Sequence, residues 1–565
     1  MALVFSRVNQ VKQIFGQRLS AFFVAIFAAL YLSTIANSGF WSGYIDYVDG
    51  VNFARVPLLL GMLAILMLFF TGVLTLFSFR PIFKPFIITV LMTSAFVGYF
   101  MHQYGVVIDK TMIQNVFETD FREASELFNW KMVTSLTVFG ILPSLWIAGV
   151  DIEYLQGFRG ILSRLAVFGG VIVVAVLLLM VTFKSLAPTF RQYHELRYRL
   201  TPMNLLQATH AYVGSRFRTP IMVKALGRDA IKGRTWTEGR KPAVLVIVVG
   251  ETARASSFSM NGYANNTNPL LSRQVGLINF TNVQSCGTAT AVSLPCMFST
   301  LGRNDYDAAE ARSQEGLLDV LSHAGLKVVW RSNNSGCKGV CDRVEFQDLS
   351  VPQPDAPHCS DAECFDERML ADLPELIEKA SKDIVLVLHQ KGSHGPAYSR
   401  RYPAPFAKFG PACATTDFQQ CKREEIVAAY DNTILYTDYI LSRTIAMLEK
   451  AAIAGTADTA MLYVSDHGES LGERNMYLHG APYLIAPAEQ THIPMMVWMS
   501  NPFSERFRID QQCLAARRQQ QFSHDNFFHS VLGMLDINSV ILNPALDIFN
   551  PCVRSAKQIV PNIVN

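Results

Sequence analysis

Asp466 and His467 stand side by side in the stretch Val464-Ser465-Asp466-His467-Gly468-Glu469-Ser470-Leu471-Gly472-Glu473. An adjacent carboxylate and imidazole suit a borderline metal such as zinc. Taken alone, the pair reads as the polar turn after a strand. A second carboxylate, Glu251, lies in Gly250-Glu251-Thr252, and further candidate ligands lie in His389-Gln390-Lys391-Gly392-Ser393-His394-Gly395 and Leu478-His479-Gly480. Ser285-Cys286-Gly287-Thr288-Ala289-Thr290-Ala291 gathers small residues and hydroxyls. At a strand-to-helix turn that composition suits either an ordinary helix cap or a nucleophile, because the backbone N–H groups there stabilise negative charge. A metal beside such a hydroxyl would lower its pKa and activate an otherwise poor nucleophile.

Each of these clusters follows an apolar run. Met461-Leu462-Tyr463 precedes Asp466, Ala243-Val244-Leu245-Val246-Ile247-Val248-Val249 precedes Glu251, and Ile384-Val385-Leu386-Val387-Leu388 precedes His389. Continuous apolar runs suit central parallel strands covered on both faces. In open α/β sheets, ligands bind beyond the carboxyl ends of such strands. Further strand-like runs at 326–330 and 494–498, with a helical stretch at 426–448, extend the pattern. Residues 242–565 are therefore expected to form an α/β domain with a mostly parallel central sheet covered by helices.

The set Gly250-Glu251-Thr252, Ser285 through Thr290, His389 through Pro396, Ser465 through Gly472 and Leu478-His479-Gly480 resembles the lipid A phosphoethanolamine transferases of the EptA and MCR type, in the alkaline phosphatase and sulfatase superfamily. The resemblance covers nearly the whole chain. It implies Thr290 as nucleophile and Glu251, Asp466 and His467 as ligands, with the Thr290 oxygen, of one tightly bound zinc. His394 and His479 would serve proton transfer or a second, weaker zinc. It also implies a substrate-binding set of Asn115, Thr119, Glu123, Ser335, Lys338, His394 and His479. From the residues alone, Asn115, Thr119 and Glu123 are spaced four apart and would share a face of one helix, which reads equally as a solvated interfacial helix. His389 and His492 carry no firm role.

The composition sets the context. Half of the 565 residues are hydrophobic and only 17% are charged, too apolar for a wholly soluble protein. The excess falls in five uncharged segments, 19–37, 56–77, 85–101, 132–150 and 165–183, each near the ~20 residues a helix needs to cross a bilayer. Residues 1–183 are thus expected to be a five-helix transmembrane domain. No small-residue cleavage site follows the first segment, which argues against a cleaved signal peptide. Arg7, Lys12 and Arg18 before it place the N-terminus in the cytoplasm. Loop 38–55, with Asp46 and Asp49, then falls outside, and loops 78–84 and 151–164 fall inside with their Arg and Lys residues. An odd number of spans places the rest of the chain outside.

All ten cysteines lie at or after Cys286, which reads as a disulfide framework in an oxidising compartment. Ten cysteines allow roughly 945 pairings. Short spacings suggest Cys286–Cys296, Cys337–Cys341, Cys359–Cys364 and Cys413–Cys421, Cys513–Cys552 remains by elimination, and the family pattern is similar. Between the two domains, 184–241 carries twelve Lys or Arg against three acids, a basic amphipathic connector suited to an anionic membrane surface and, in an exported domain, not to nucleic acid.

The expected protein is a monomeric, multi-pass enzyme of a bacterial inner membrane with a periplasmic catalytic domain. It would move phosphoethanolamine from phosphatidylethanolamine to a lipid A phosphate through a phospho-threonine intermediate, lowering outer-membrane negative charge and giving resistance to polymyxin and other cationic peptides. The alternatives are a core-sugar acceptor (heptose or Kdo) and a catalytically inactive lipid-binding sensor. A sulfatase would need Cys-x-Pro-x-Arg, which neither Cys286-Gly287-Thr288 nor Cys296-Met297-Phe298 supplies. A glycerol-phosphate polymerase fits the exported cysteines poorly.

Overall fold

The computed structural model describes residues 18–47, 56–119, 121–192, 194–216, 223–238, 241–352, 358–359, 363–380 and 382–554. The chain divides into two compact units, Met1–Ile113 with Phe128–Ala211 and Gln114–Leu127 with Tyr212–Asn565.

Among the described residues of the first unit, five helices are long and apolar enough to cross a membrane: Ala21–Ile45, Val56–Leu76, Phe83–Tyr104, Trp130–Gly149 and Gly157–Thr182. Residues 38–47, expected to begin an outer loop, are helical instead; Phe40 and Tyr44, one turn apart, stack and are buried, and Trp41 meets both rings edge-on. Loop 151–164 is shorter than expected, since the last helix starts at Gly157. Arg164 sits on that helix and turns inward, donating to the carbonyls of Ser78 and Leu155 at 3.0 Å each. Lys84 donates to the carbonyls of Ala148 and Val150 at 2.8 and 2.7 Å, a cation at the carboxyl end of the fourth span. In the connector, helices cover Met203–Arg216 and Thr235–Glu238; the side chains of Lys184, Arg191, Arg197, Arg216, Arg218 and Arg240 lie outside the described residues.

The second unit is built on an eight-stranded sheet. Its strands are β1 (Ala243–Gly250), β2 (Ile278–Gln284), β3 (Lys327–Ser332), β4 (Glu345–Asp348), β5 (Ile384–His389), β6 (Asp458–Ser465), β7 (His492–Met499) and β8 (Phe522–Ser523). The order across the sheet is β8-β2-β7-β6-β1-β5-β3-β4. β7 runs against both neighbours, and every other pairing is parallel. All eight residues of β1 and of β6 are buried, which explains their unbroken apolar character. Helices α1 (Lys110–Glu118), α2 (Thr290–Met297) and α3 (Arg423–Ala454) contribute to the site below.

Five disulfides join Cys286–Cys296, Cys337–Cys341, Cys359–Cys364, Cys413–Cys421 and Cys513–Cys552 and leave no cysteine free. Thiol labelling of denatured, unreduced protein should therefore find no reactive cysteine. Stoichiometric labelling of two or more would break the framework.

Candidate active site

Four adjacent parallel strands, in the order β6-β1-β5-β3, end at one edge. Glu251 follows β1, Asp466 and His467 follow β6, His389 closes β5, and Asn334 lies two residues past β3. The β6 ladder extends one step, with Asp466 N–H donating to Gly250 O at 2.9 Å. Asp466 Oδ1 then accepts from the N–H groups of Thr252, at 3.2 Å, and His467, at 2.7 Å. Thr252 is in the left-handed region at φ 53°, a costly conformation for a β-branched residue. Its N–H bond to Asp466 and its carbonyl bond to the Tyr430 hydroxyl, at 2.7 Å, hold it there. Gly392 is required for a similar reason. Its φ is +54°, and a Cβ would meet the Glu251 carbonyl oxygen at 2.7 Å.

The carboxylate and imidazole ligand atoms of Glu251, Asp466 and His467 lie within 4.8 Å of one another, and all three residues are buried. His467 Nε2 is 3.4 Å from both Glu251 Oε1 and Asp466 Oδ2. His467 Nδ1 lies 2.9 Å from the Gly468 carbonyl, which fixes the proton on Nδ1 and leaves the Nε2 lone pair facing the carboxylates. Burial, and then His479 nearby, push the His467 pKa well below its ordinary value, so the ring is neutral. Asp466 Oδ2 is buried without a hydrogen-bond partner of ordinary geometry among the described residues, and burial pushes this carboxyl above the usual range. Two buried carboxylates at this spacing repel by roughly 3 kcal/mol at an effective dielectric of 20. A cation would reverse that sign and satisfy the orphaned oxygen. The donor set of two carboxylates, a neutral imidazole and a hydroxyl fits zinc.

The hydroxyl is that of Thr290, the first residue of α2. Its Oγ1 donates to Glu251, with Oε1 at 3.0 Å and Oε2 at 3.1 Å, and lies 3.2 Å from His467 Nε2. No side chain caps α2, and the first turn of a helix leaves N–H groups without an intrahelical partner. Ser293, one turn on, donates to the Asp466 carbonyl at 2.5 Å and ties α2 to the β6 end.

A cavity of about 50 Å³ opens over Thr290, lined by Asn115, Glu118, Thr119, Glu251, Thr290, Ala291, Asn334, Ser335, Lys338, His394 and His479. The predicted residues thus meet, with two qualifications. The segment 115–123 is not one helix: α1 ends at Glu118, and a separate helix starts at Phe121. The Asn115 carbonyl accepts both the Thr119 N–H, at 2.8 Å, and the Thr119 hydroxyl, at 2.6 Å, which closes the last turn of α1. The Glu123 side chain lies outside the described residues. Of the two uncertain histidines, His389 is buried with its pKa lowered to about 3 by burial, and its Nδ1 sits 3.2 Å from the Gly336 carbonyl. His492 bonds the Thr281 carbonyl at 2.8 Å and does not line the cavity.

Several residues here carried no sequence signal of their own. Asn334 donates to Glu251 Oε2 at 2.6 Å. Glu469 receives the Tyr398 hydroxyl at 2.5 Å and lies 2.8 Å from His479 Nδ1, orienting that ring. His524 accepts the Cys286 N–H at 3.1 Å on Nδ1 and donates to Ser465 O at 3.0 Å from Nε2, clamping the Thr290 loop to β6.

Residues 243–537 match the family described as Sulfatase, and residues 66–217 match the family described as Phosphoethanolamine transferase EptA/EptB. The chain is 37% identical over 536 residues to Phosphoethanolamine transferase EptA of Escherichia coli (strain K12), covering 94% of this chain and 96% of that one. It is 37% identical over 498 residues to Phosphatidylethanolamine transferase Mcr-1 of Escherichia coli, covering 86% and 90%. Among solved structures, the integral membrane protein lipooligosaccharide phosphoethanolamine transferase A from Neisseria meningitidis superposes with a TM-score of 0.90 at 36% identity, covering 95% of this chain and 100% of that chain.

Proposed function

The chain belongs to the EptA family of phosphoethanolamine transferases, and from that premise we propose phosphatidylethanolamine as donor, lipid A as acceptor and Thr290 as the residue that carries the group between them. Phosphoethanolamine transfer follows from the family. The donor is the one named in the Mcr-1 relative. The observation that carries the site is the Thr290 hydroxyl, within 3.2 Å of a buried carboxylate and a neutral imidazole at the start of a helix.

In the first half-reaction, Thr290 Oγ1 gives up its proton through the Glu251 carboxylate that accepts its hydrogen bond, and attacks the donor phosphorus. The bond to the diacylglycerol oxygen breaks, and that oxygen takes a proton from His394 or His479. Glu251, Asp466 and His467 would hold a zinc ion with the Thr290 oxygen; when bound, it neutralises their charge and lowers the pKa of the hydroxyl. Glu251 receives the hydroxyl's hydrogen bond and aligns the oxygen. The N–H groups at the head of α2 face the phosphoryl oxygens. Lys338 neutralises the phosphate, and Asn115, Thr119 and Ser335 position the headgroup. In the second half-reaction the acceptor attacks the phosphothreonine, and Thr290 is regenerated.

Five disulfides in the catalytic unit and five candidate membrane spans support a bacterial inner-membrane protein with that unit in the periplasm. Added phosphoethanolamine brings an ammonium to lipid A, lowering outer-membrane negative charge and polymyxin binding. Mass spectrometry of lipid A from cells with and without the protein should show one phosphoethanolamine added per modified phosphate. Unchanged lipid A, with the group on a core sugar instead, would refute the acceptor.

A further inference from the structure

A second cavity lies beside the first and shares its wall. It measures about 500 Å³, within the size range of small-molecule sites, whereas the one over Thr290 measures about 50 Å³. Glu118, Ser335 and Lys338 line both. Pro295 and Phe298, at the far end of α2 from Thr290, give the larger cavity an apolar side. Its polar side carries three cations, Arg312, Lys338 and Arg343, against the carboxylates of Glu118 and Asp342. The cations are held in place. Arg312 Nη2 donates to Glu118 Oε1 at 2.6 Å, Arg343 grips Asp319 through two bonds of 2.7 Å, and Lys338 Nζ donates to the Glu118 carbonyl at 3.1 Å. Gln314 also lines this cavity, and its Nε2 is buried with no hydrogen-bond partner among the described residues. A buried amide donor left without an acceptor is costly, and a bound oxygen would satisfy it.

The transfer needs two substrates, and the smaller cavity is too confined for two headgroups. The second substrate also brings an anionic phosphate towards a phosphodiester that is itself anionic. Arg312 and Arg343 are balanced by Glu118 and Asp319, whereas Lys338, whose ammonium donates to a carbonyl, stands beside the path and offsets that repulsion. We propose that the larger cavity binds the acceptor as a phosphate monoester on a sugar headgroup, and that the wall of Glu118, Ser335 and Lys338 is where its phosphate passes to Thr290. This deepens the transferase reading above and rests on it. An oxygen of the acceptor phosphate attacks the phosphorus held on Thr290, forming a P–O–P bond. The P–Oγ1 bond breaks, its electron pair stays on the threonine oxygen, and that oxygen takes a proton from solvent.

Gln314→Glu and Gln314→Lys test this with opposite charges at one position. On vesicles of phosphatidylethanolamine alone, diacylglycerol release reports the loading of Thr290, and both variants should load as the parent does. With lipid A added, Gln314→Glu should raise the acceptor KM by about tenfold or more through like-charge repulsion, and Gln314→Lys should leave it unchanged or lower it. Lipid A stripped of its phosphates should not compete. Inorganic phosphate should inhibit only well above the lipid A KM. Equal KM values in the two variants, or slower loading in both, overturns the proposal. Inhibition by inorganic phosphate at the lipid A KM overturns the headgroup and leaves a free-phosphate site. Absence of diacylglycerol from the parent protein on the same vesicles refutes the donor reading instead, and the proposal falls with it.

Discussion

Thr290→Ala should abolish transfer and leave the fold intact. The substitution removes one hydroxyl, whose Oγ1 contacts Glu251 and His467 within 3.2 Å. If that oxygen forms the covalent intermediate, no other group replaces it. Removing the nucleophile of a covalent hydrolase costs on the order of a million-fold in kcat. The stability cost is far smaller. One hydrogen bond contributes about 1 kcal/mol, against roughly 5–15 kcal/mol for a whole domain, and alanine is well tolerated at the first position of a helix. The measurement is phosphoethanolamine transfer alongside the thermal midpoint. Quenched parent protein should also carry the adduct on the Thr290 peptide by mass spectrometry. Transfer retained in a folded Thr290→Ala protein would remove the covalent mechanism altogether.

Glu251→Ala and Asp466→Ala should each lose tightly bound zinc together with activity. The two carboxylates arrive from the ends of β1 and β6, neighbours in the sheet that lie far apart in sequence. Loss of a residue that only supports a metal ligand typically costs ~10–100-fold in affinity, and loss of a ligand should cost at least that. His394→Ala and His479→Ala should keep the zinc and lose turnover, because neither belongs to the cluster of Glu251, Asp466 and His467. Metal analysis of the purified variants decides between the roles. Full zinc in Asp466→Ala would place the metal elsewhere. Zinc lost from His394→Ala would mean that the two sets of residues had been exchanged.

The sheet edge was legible in the sequence because the strands that build it are buried on both faces. The unbroken run Val244 through Val249 suits a central strand, and it forms one, with Glu251 at its carboxyl end. The cysteine pairs were legible because four of the five close loops of ten residues or fewer. Asn334, Glu469 and His524 were not, because their roles depend on which backbone atoms face them once distant strands pair. Nothing local to His524 announces that it will clamp Cys286 to Ser465. The break between α1 and the helix at Phe121 was hidden for another reason. The four-residue spacing was genuine between Asn115 and Thr119, where the helical bond is kept, but spacing alone does not say where a helix stops.

The disulfide Cys286–Cys296 brackets Thr290, and the other short ones likewise close loops within single connections of the sheet. Loop entropy grows only slowly with length, so even a link across about ten residues removes roughly 2–3 kcal/mol of freedom from the unfolded chain. The sheet itself is held by buried strands that no cysteine joins. The cysteines therefore add stability without fixing which strands pair. The Cys286–Cys296 link also ties both ends of the turn that presents Thr290, so reduction should loosen that turn as well as lower the thermal midpoint.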